Sequence, residues 1–264
     1  MMSDFFLALF LSLIQGLTEF LPVSSSAHLL FPSLIFGAKD FGILFDISVH
    51  AGTLLAVICY FRQEIQALIR AWLPWAADRD MQSFLLGRNL IVATLPIIVA
   101  GLFFSDLVES RTSSVNSIAW TNLIFAGLLY VVFKFADQSK SLAELTLFAA
   151  LVIGFFQVLA IFPGASRSGM AITGALIAGL NLRDTSRFAF MLSIPTILGA
   201  LILMLFKGAY SIALSDLTIM LTGFIGSAIV AFLTIKIFLR VVEKVGMIPF
   251  VIYRIILGFA LLLL

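Results

Sequence analysis

Six runs of about twenty apolar residues, near 41–61, 89–105, 117–135, 186–206, 217–239 and 248–264, can each cross the hydrocarbon of a bilayer as a helix. In a chain of 264 residues this leaves little room for anything else. Hydrophobic residues make up 62% of the sequence and charged residues 11%, and a soluble domain has too small an interior to hide so much apolar surface. The chain therefore reads as an all-α integral membrane protein. A formal net charge of +2 gives no reason to expect nucleic acid. Cys59 is the single cysteine, so no intramolecular disulfide can form. The apolar N-terminus carries Asp4 and lacks the basic segment of a secretory signal, so it reads as part of the fold, with cleavage near "SSSA" as the competing reading.

Two further apolar regions, 5–36 and 142–180, are broken in mid-course. Pro22 and three serines interrupt the first, and Pro163-Gly164 with "SRS" interrupts the second. Irregular backbone is tolerated at membrane depth only where protein or a water-filled cavity surrounds it. Each region is therefore predicted to be a re-entrant helical hairpin that enters and leaves on one side. The expected fold is six transmembrane helices plus two re-entrant hairpins in a single polytopic membrane domain, 1–264.

The positive charges supply an orientation. Segments 62–88, 134–141, 181–187 and 236–247 hold Arg62, Arg70, Arg79, Arg88, Lys134, Lys140, Arg183, Arg187, Lys236, Arg240 and Lys244, whereas the opposite side holds Lys39, Arg111 and Lys207. This bias puts both termini outside the cytoplasm and predicts that both hairpin turns open to the non-cytoplasmic side.

The halves also resemble each other. "QGLTEFLPVSSSAH" from Gln15 and "QVLAIFPGASRSGM" from Gln157 share a Gln, a Phe five positions on, a nearby Pro and then serines. In that register Ser24 matches Ser166, Ser25 matches Arg167 and Ser26 matches Ser168. "FDISVHAGTLLA" from Phe45 echoes "FMLSIPTILGA" from Phe190. One hairpin plus three spans per half, about 1–140 and 141–264, makes an inverted-topology repeat. In such folds the broken helices meet near the midplane and build one site. Chance likeness between apolar helices is the competing explanation.

Ionisable groups inside a membrane are costly and default to functional candidates. Gln15 and Glu19, at i and i+4, share a helix face. Ser25 and His28 lie three apart, within reach of a hydroxyl–imidazole hydrogen bond, while Ser24, Ser25 and Ser26 also suit a helix N-cap. The second turn suits an anion: Gly164 and Gly169 allow close backbone approach, Ser166 and Ser168 add hydroxyls, and Arg167 offers a planar fork matched to phosphate oxygens. A structural ion pair between Arg167 and Glu19 is the alternative. Asp46 and His50, again i and i+4, either support the site, help hold a metal ion or simply bond to each other along the helix. Arg254, in the last span, either snorkels or binds lipid headgroups. The same architecture also suits a secondary transporter or flippase of an anionic lipid or phosphate.

Taken together the two motifs resemble the undecaprenyl-diphosphate phosphatases, also called bacitracin-resistance proteins. The carrying residues are Gln15 with Glu19, "FLPVSSSAH", "PGASRSG", "FD…HAGT" and "IPF..YR", so the resemblance covers essentially the whole chain. It implies an integral enzyme of the bacterial plasma membrane that hydrolyses undecaprenyl diphosphate to the monophosphate. This recycles the lipid carrier for peptidoglycan and other cell-wall polymers, and overproduction is linked to bacitracin resistance. It further implies dependence on a divalent cation, Mg²⁺ or Ca²⁺, and a site of Glu19, Ser25, His28 and Arg167 with Gln15 beside them. Ser25 is expected to attack the terminal phosphorus with His28 as base, or His28 to be the nucleophile itself. Gln15 stands where the family often has Glu, which shifts metal binding onto Glu19, with Asp46 as a second candidate ligand. Ala171 stands where Thr is frequent, with Thr173 nearby. The expected partners are the polyprenyl diphosphate and membrane lipids; a homodimer stays open.

Overall fold

The computed structural model describes residues 4–73, 75, 80–104, 114–207 and 214–263. Arg79 and Arg111, used above, lie outside them. Eleven α-helices are described: α1 Asp4–Thr18, α2 Ser25–Phe36, α3 Ile43–Tyr60, α4 Arg62–Trp72, α5 Met81–Phe103, α6 Val115–Phe135, α7 Leu147–Val158, α8 Arg167–Ile177, α9 Leu182–Lys207, α10 Leu214–Val245 and α11 Ile248–Leu262. Five of these, α3, α5, α6, α9 and α10, are long and apolar enough to cross a membrane. The sixth expected span, 248–264, corresponds to α11, whose fifteen residues extend about 22 Å and fall short of the hydrocarbon thickness.

Local chemistry sets the ends of these helices. The Asp80 carboxylate accepts from the amides of Gln82 and Ser83 and starts α5, and Thr146 Oγ1 accepts from Ala149 N–H and starts α7. Gly37, at φ 60°, ends α2 in a left-handed turn in which the Gly37 and Ala38 amides return to Ser33 and Pro32 carbonyls.

Both broken regions double back. After α2, Lys39 Nζ pairs with Asp4 Oδ2 at the start of α1, at 2.5 Å. Around α7 and α8, the Lys140 amide donates to Gly179 O at 2.9 Å and the Asn181 amide donates to Lys140 O at 2.8 Å. The helices so folded, of 15, 12, 12 and 11 residues, are too short to cross alone.

Helices α1 and α3 pack on α10, and α7 packs on α5 and on α8. These contacts run through small residues, as is usual where lipid supplies no hydrophobic push between helices. Gly52 of α3 lies against the Phe224 carbonyl and Ser227 of α10, and a Cβ on Gly154 of α7 would stand 2.5 Å from the Ala93 carbonyl of α5. Between the pairs runs a core in which Phe20 meets Phe190 edge-on, ring centroids 5.3 Å apart, and Phe190 meets Phe238. Residues Ser168 through Leu176 of α8 are all buried in it.

Candidate active site

The two turns share an uncommon backbone. Ser24 has φ 72° and Ser166 has φ 75°, the positive values outside glycine among the described residues. Such conformations cost about 1–3 kcal/mol and persist where the surroundings impose them. Each serine stands immediately before a helix, so α2 opens at Ser25 and α8 at Arg167. Ser24 Oγ lies 3.4 Å from Ser26 Oγ, and Ser166 Oγ lies 3.2 Å from Ser168 Oγ. Ser166 Oγ also accepts from the Gly169 amide at 3.1 Å, capping α8.

Glu19 gathers the two turns. Its side chain is 5% exposed. Oε2 accepts from Ser25 Oγ at 2.6 Å and from Gln15 Nε2 at 2.8 Å, so the i, i+4 spacing does bring Gln15 and Glu19 together. Oε1 accepts from Arg167 Nη2 at 2.8 Å, the ion pair weighed from the sequence. His50 Nε2 stands 3.7 Å from Oε2. The His50 Nδ1–H bonds the Asp46 backbone carbonyl at 2.8 Å, which leaves Nε2 as the nitrogen facing the carboxylate. Arg167 Nη1 is buried and has no acceptor among the described residues.

A second hub escaped the sequence reading. Arg254 of α11 is fully buried and neither snorkels nor reaches a headgroup. Its Nη1 donates to Pro22 O at 3.3 Å and its Nη2 to Gly164 O at 2.9 Å and Ala165 O at 3.1 Å. Nε donates to Asn122 Oδ1 at 2.8 Å, and Asn122 Nδ2 returns a bond to the Arg254 carbonyl. One guanidinium thus fastens both turns, and Ser168 Oγ adds a bond to Leu21 O at 2.8 Å.

The expected Ser25–His28 hydrogen bond is not formed. His28 is in the first turn of α2, and its ring folds back so that Nδ1–H donates to Ser24 O at 2.7 Å. Nε2 then accepts from the Tyr253 hydroxyl at 2.5 Å, with the two rings stacked. Both nitrogens are engaged away from Ser25, whose own proton points to Glu19.

Glu19, Ser24, Ser25, Ser26, Ser166 and Arg167 line one cavity of about 670 Å³, together with Asp46 and His50. Its remaining wall is largely aliphatic, including Leu29, Ile97, Ile197 and Leu201. Two helix N-termini, at Ser25 and Arg167, open onto it, which favours negative charge there. Gln15 sits behind Glu19 in the first turn's support. Ser168, Gly164 and Gly169 hold the second turn instead of lining the cavity: a Cβ on Gly164 would meet Ile118 O at 2.7 Å, and one on Gly169 would meet Arg254 Nη1 at 3.1 Å.

These donors do not fit a divalent cation on Glu19. Both carboxylate oxygens accept from protein N–H or O–H groups, and a guanidinium occupies the place beside Oε1. Among the described residues no three of His, Cys, Asp and Glu gather as a ligand set.

Five helices long and apolar enough to cross a membrane, around a largely aliphatic cavity that a carboxylate, hydroxyls and an arginine also line, define a polytopic membrane protein. The chain belongs to the family described as bacitracin resistance protein BacA, whose profile matches residues 8–260. It is 47% identical over 260 residues to an undecaprenyl-diphosphatase of Alcanivorax borkumensis, covering 98% of each chain. It is 44% identical over 257 residues to one of Saccharophagus degradans, covering 97% of this chain and 96% of that one. It is likewise 44% identical over 256 residues to one of Teredinibacter turnerae, covering 94% of each.

Proposed function

We propose that this protein hydrolyses undecaprenyl diphosphate to undecaprenyl phosphate and inorganic phosphate, returning the lipid carrier to cell-wall synthesis. The observation that carries the reading is the 2.6 Å bond from Ser25 Oγ to Glu19 in a cavity that Arg167 also lines, its buried Nη1 without an acceptor among the described residues. A hydroxyl bonded to a carboxylate is an activated nucleophile, and a guanidinium beside it supplies charge for phosphate oxygens. The aliphatic remainder of the cavity suits the start of a prenyl chain. The relatives named above are diphosphatases, and the transporter reading gains no support from them.

In the proposed reaction Ser25 Oγ attacks the terminal phosphorus and its proton passes to Glu19. The bond from that phosphorus to the bridging oxygen breaks, and undecaprenyl monophosphate leaves with the electron pair. Arg167 exchanges part of its pairing with Glu19 for the equatorial oxygens and offsets their charge. Glu19 then releases that proton to water in the cavity. A second water attacks the phosphoserine as Glu19 takes its proton, the phosphorus–Oγ bond breaks, and Glu19 passes the proton on to Ser25 Oγ as inorganic phosphate leaves. His28 acts through Ser24, fixing the turn. The divalent cation implied by the resemblance is proposed on that ground alone. Both Glu19 oxygens are engaged by Gln15, Ser25 and Arg167, so Asp46 and His50, which line the same cavity, are the groups that would hold it, and no step is routed through it.

The finer architecture belongs to the same proposal. The two doubled-back helix pairs are re-entrant hairpins of an inverted repeat, supported by the matched φ values and serine contacts at Ser24 and Ser166 and by the paired packing of α1 on α10 and α7 on α5. The protein sits in the bacterial plasma membrane with the cavity open to the outer side. Lys39 and Phe41 line the cavity, while the cation-rich segments lie at the far ends of α3 and α9.

Phosphate release from purified, detergent-solubilised protein given a prenyl diphosphate, with and without chelator, tests the activity. Impermeant maleimide applied to intact cells tests the orientation: in a Cys59→Ser background, Lys39→Cys is expected to label and Lys140→Cys is not. The reverse pattern contradicts it.

A further inference from the structure

A second cavity, of about 610 Å³, lies at the opposite end of the molecule from the candidate active site. Asp46 of α3 lines the first cavity, and Tyr60, at the other end of the same helix, lines the second. Fourteen residues of helix put them about 21 Å apart. The second cavity is walled by Arg62, Arg183, Arg187, Lys236 and Arg240, with Glu64 as the carboxylate among its lining residues. Arg183 and Arg187 are spaced i, i+4 on α9, and Lys236 and Arg240 are spaced i, i+4 on α10, so each helix turns a pair of cations to the same space. Like charges at this spacing repel. Glu64 Oε1 pairs with Arg187 Nη2 at 3.2 Å, and no other ion pair involves the five cations among the described residues.

The surroundings indicate what kind of anion fits. Arg62, Gln63 and Glu64 come from α4, which carries Arg62, Gln63, Gln66 and Arg70 on its exposed side and buries Ala71 on the other, as a helix lying in the headgroup layer does. Phe232 and Leu239 of α10 form apolar wall. Just outside, Ile58, Leu233 and Ile237 are exposed along the flank of the helices. Cations at headgroup depth and aliphatic surface continuing toward the bilayer match a phosphate carrying acyl chains.

We propose that this cavity is a second phosphate site, distinct from the catalytic one, that takes the phosphate of an anionic phospholipid headgroup. Basic pockets between membrane helices on the cation-rich side recognise such heads through this chemistry. The inference does not rest on the diphosphatase reading, because it invokes none of the catalytic residues.

The test uses Cys59, which is exposed on the cavity wall and is the chain's single cysteine. The rate of maleimide addition to Cys59 is measured on the full-length protein in neutral detergent while dispersed phosphatidylglycerol, phosphatidylcholine or inorganic phosphate is titrated in. Phosphatidylglycerol is expected to slow the reaction and phosphatidylcholine is not. Each basic side chain near such a headgroup contributes about fivefold in affinity, so Lys236→Gln with Arg240→Gln should shift the protecting concentration by roughly 25-fold. Phosphate release at the distant active site should stay unchanged in that variant. Protection by inorganic phosphate alone overturns the lipid assignment. Equal protection by phosphatidylcholine, or no loss of protection in the double variant, overturns the site.

Discussion

Arg254 Nη2 donates to the carbonyl oxygen of Gly164 at 2.9 Å, although ninety residues separate them in the chain. The same guanidinium reaches Ala165 and Pro22, so the relative placement of Ser25 and Arg167 depends on a side chain that does not line the cavity. Replacing Arg254 by Met leaves three carbonyls and Asn122 without their donors. Breaking a buried charged network of this kind costs about 3–5 kcal/mol. The melting temperature in detergent should fall sharply and phosphate release should fall with it. Arg254→Lys, with one ammonium for four acceptors, should recover only part of either. An unchanged melting temperature for Arg254→Met contradicts the clamp.

Arg167 is expected to separate stability from turnover. Lys can keep the pair with Glu19 but cannot offer a planar fork to phosphate. Arg167→Lys should therefore melt near the parent temperature while losing about a hundredfold or more in phosphate release. Arg167→Ala should lose activity and, by stranding the buried Glu19, stability as well. Near-normal turnover of Arg167→Lys would make the residue purely structural.

His28 is expected to act by position. His28→Gln can still bond the Ser24 carbonyl and should retain much more activity than His28→Ala, with the pH profile of kcat unchanged in shape. If His28 were the general base, Gln and Ala would be equally poor and the rising limb of that profile would disappear.

Much of this site is legible in the sequence because bilayers penalise polar residues so strongly. Pro22 and Pro163, each with serines beside it, mark the two turns, and the i, i+4 spacing of Gln15 and Glu19 puts them on one face. What escapes is whatever depends on direction or on backbone partners. Ser25 and His28 are three apart, yet the positive φ at Ser24 starts the helix so that the hydroxyl meets Glu19 and the imidazole turns to Tyr253. Arg254 bonds mainly to carbonyl oxygens, which every residue carries, so nothing in the string of letters distinguishes it from a snorkelling arginine. The last helix opens where its apolar run opens, at Ile248, because Gly246, at φ 68°, and Pro249 set that start, and its fifteen residues fall short of a full span.

Close packing of α3 on α10 gives a further test. A methyl group on Gly52 would enter the space of the Phe224 carbonyl and Ser227 Oγ, which itself donates to Val49 O at 2.9 Å. Gly52→Ala should destabilise by about 1–3 kcal/mol, read as a lower melting temperature. An unaffected or higher value would mean that the two helices do not approach as described.

Ser25, deprotonated by Glu19, is the proposed nucleophile, and the phosphate-release rate of purified Ser25→Ala on a prenyl diphosphate tests that role. Loss of a nucleophile that works with a paired base removes about 10³-fold or more of kcat. A fall of that size is expected at an unchanged melting temperature, with Glu19→Gln equally inactive. A Ser25→Ala protein that keeps its rate within about tenfold, the range of a mere positioning contact, would contradict it.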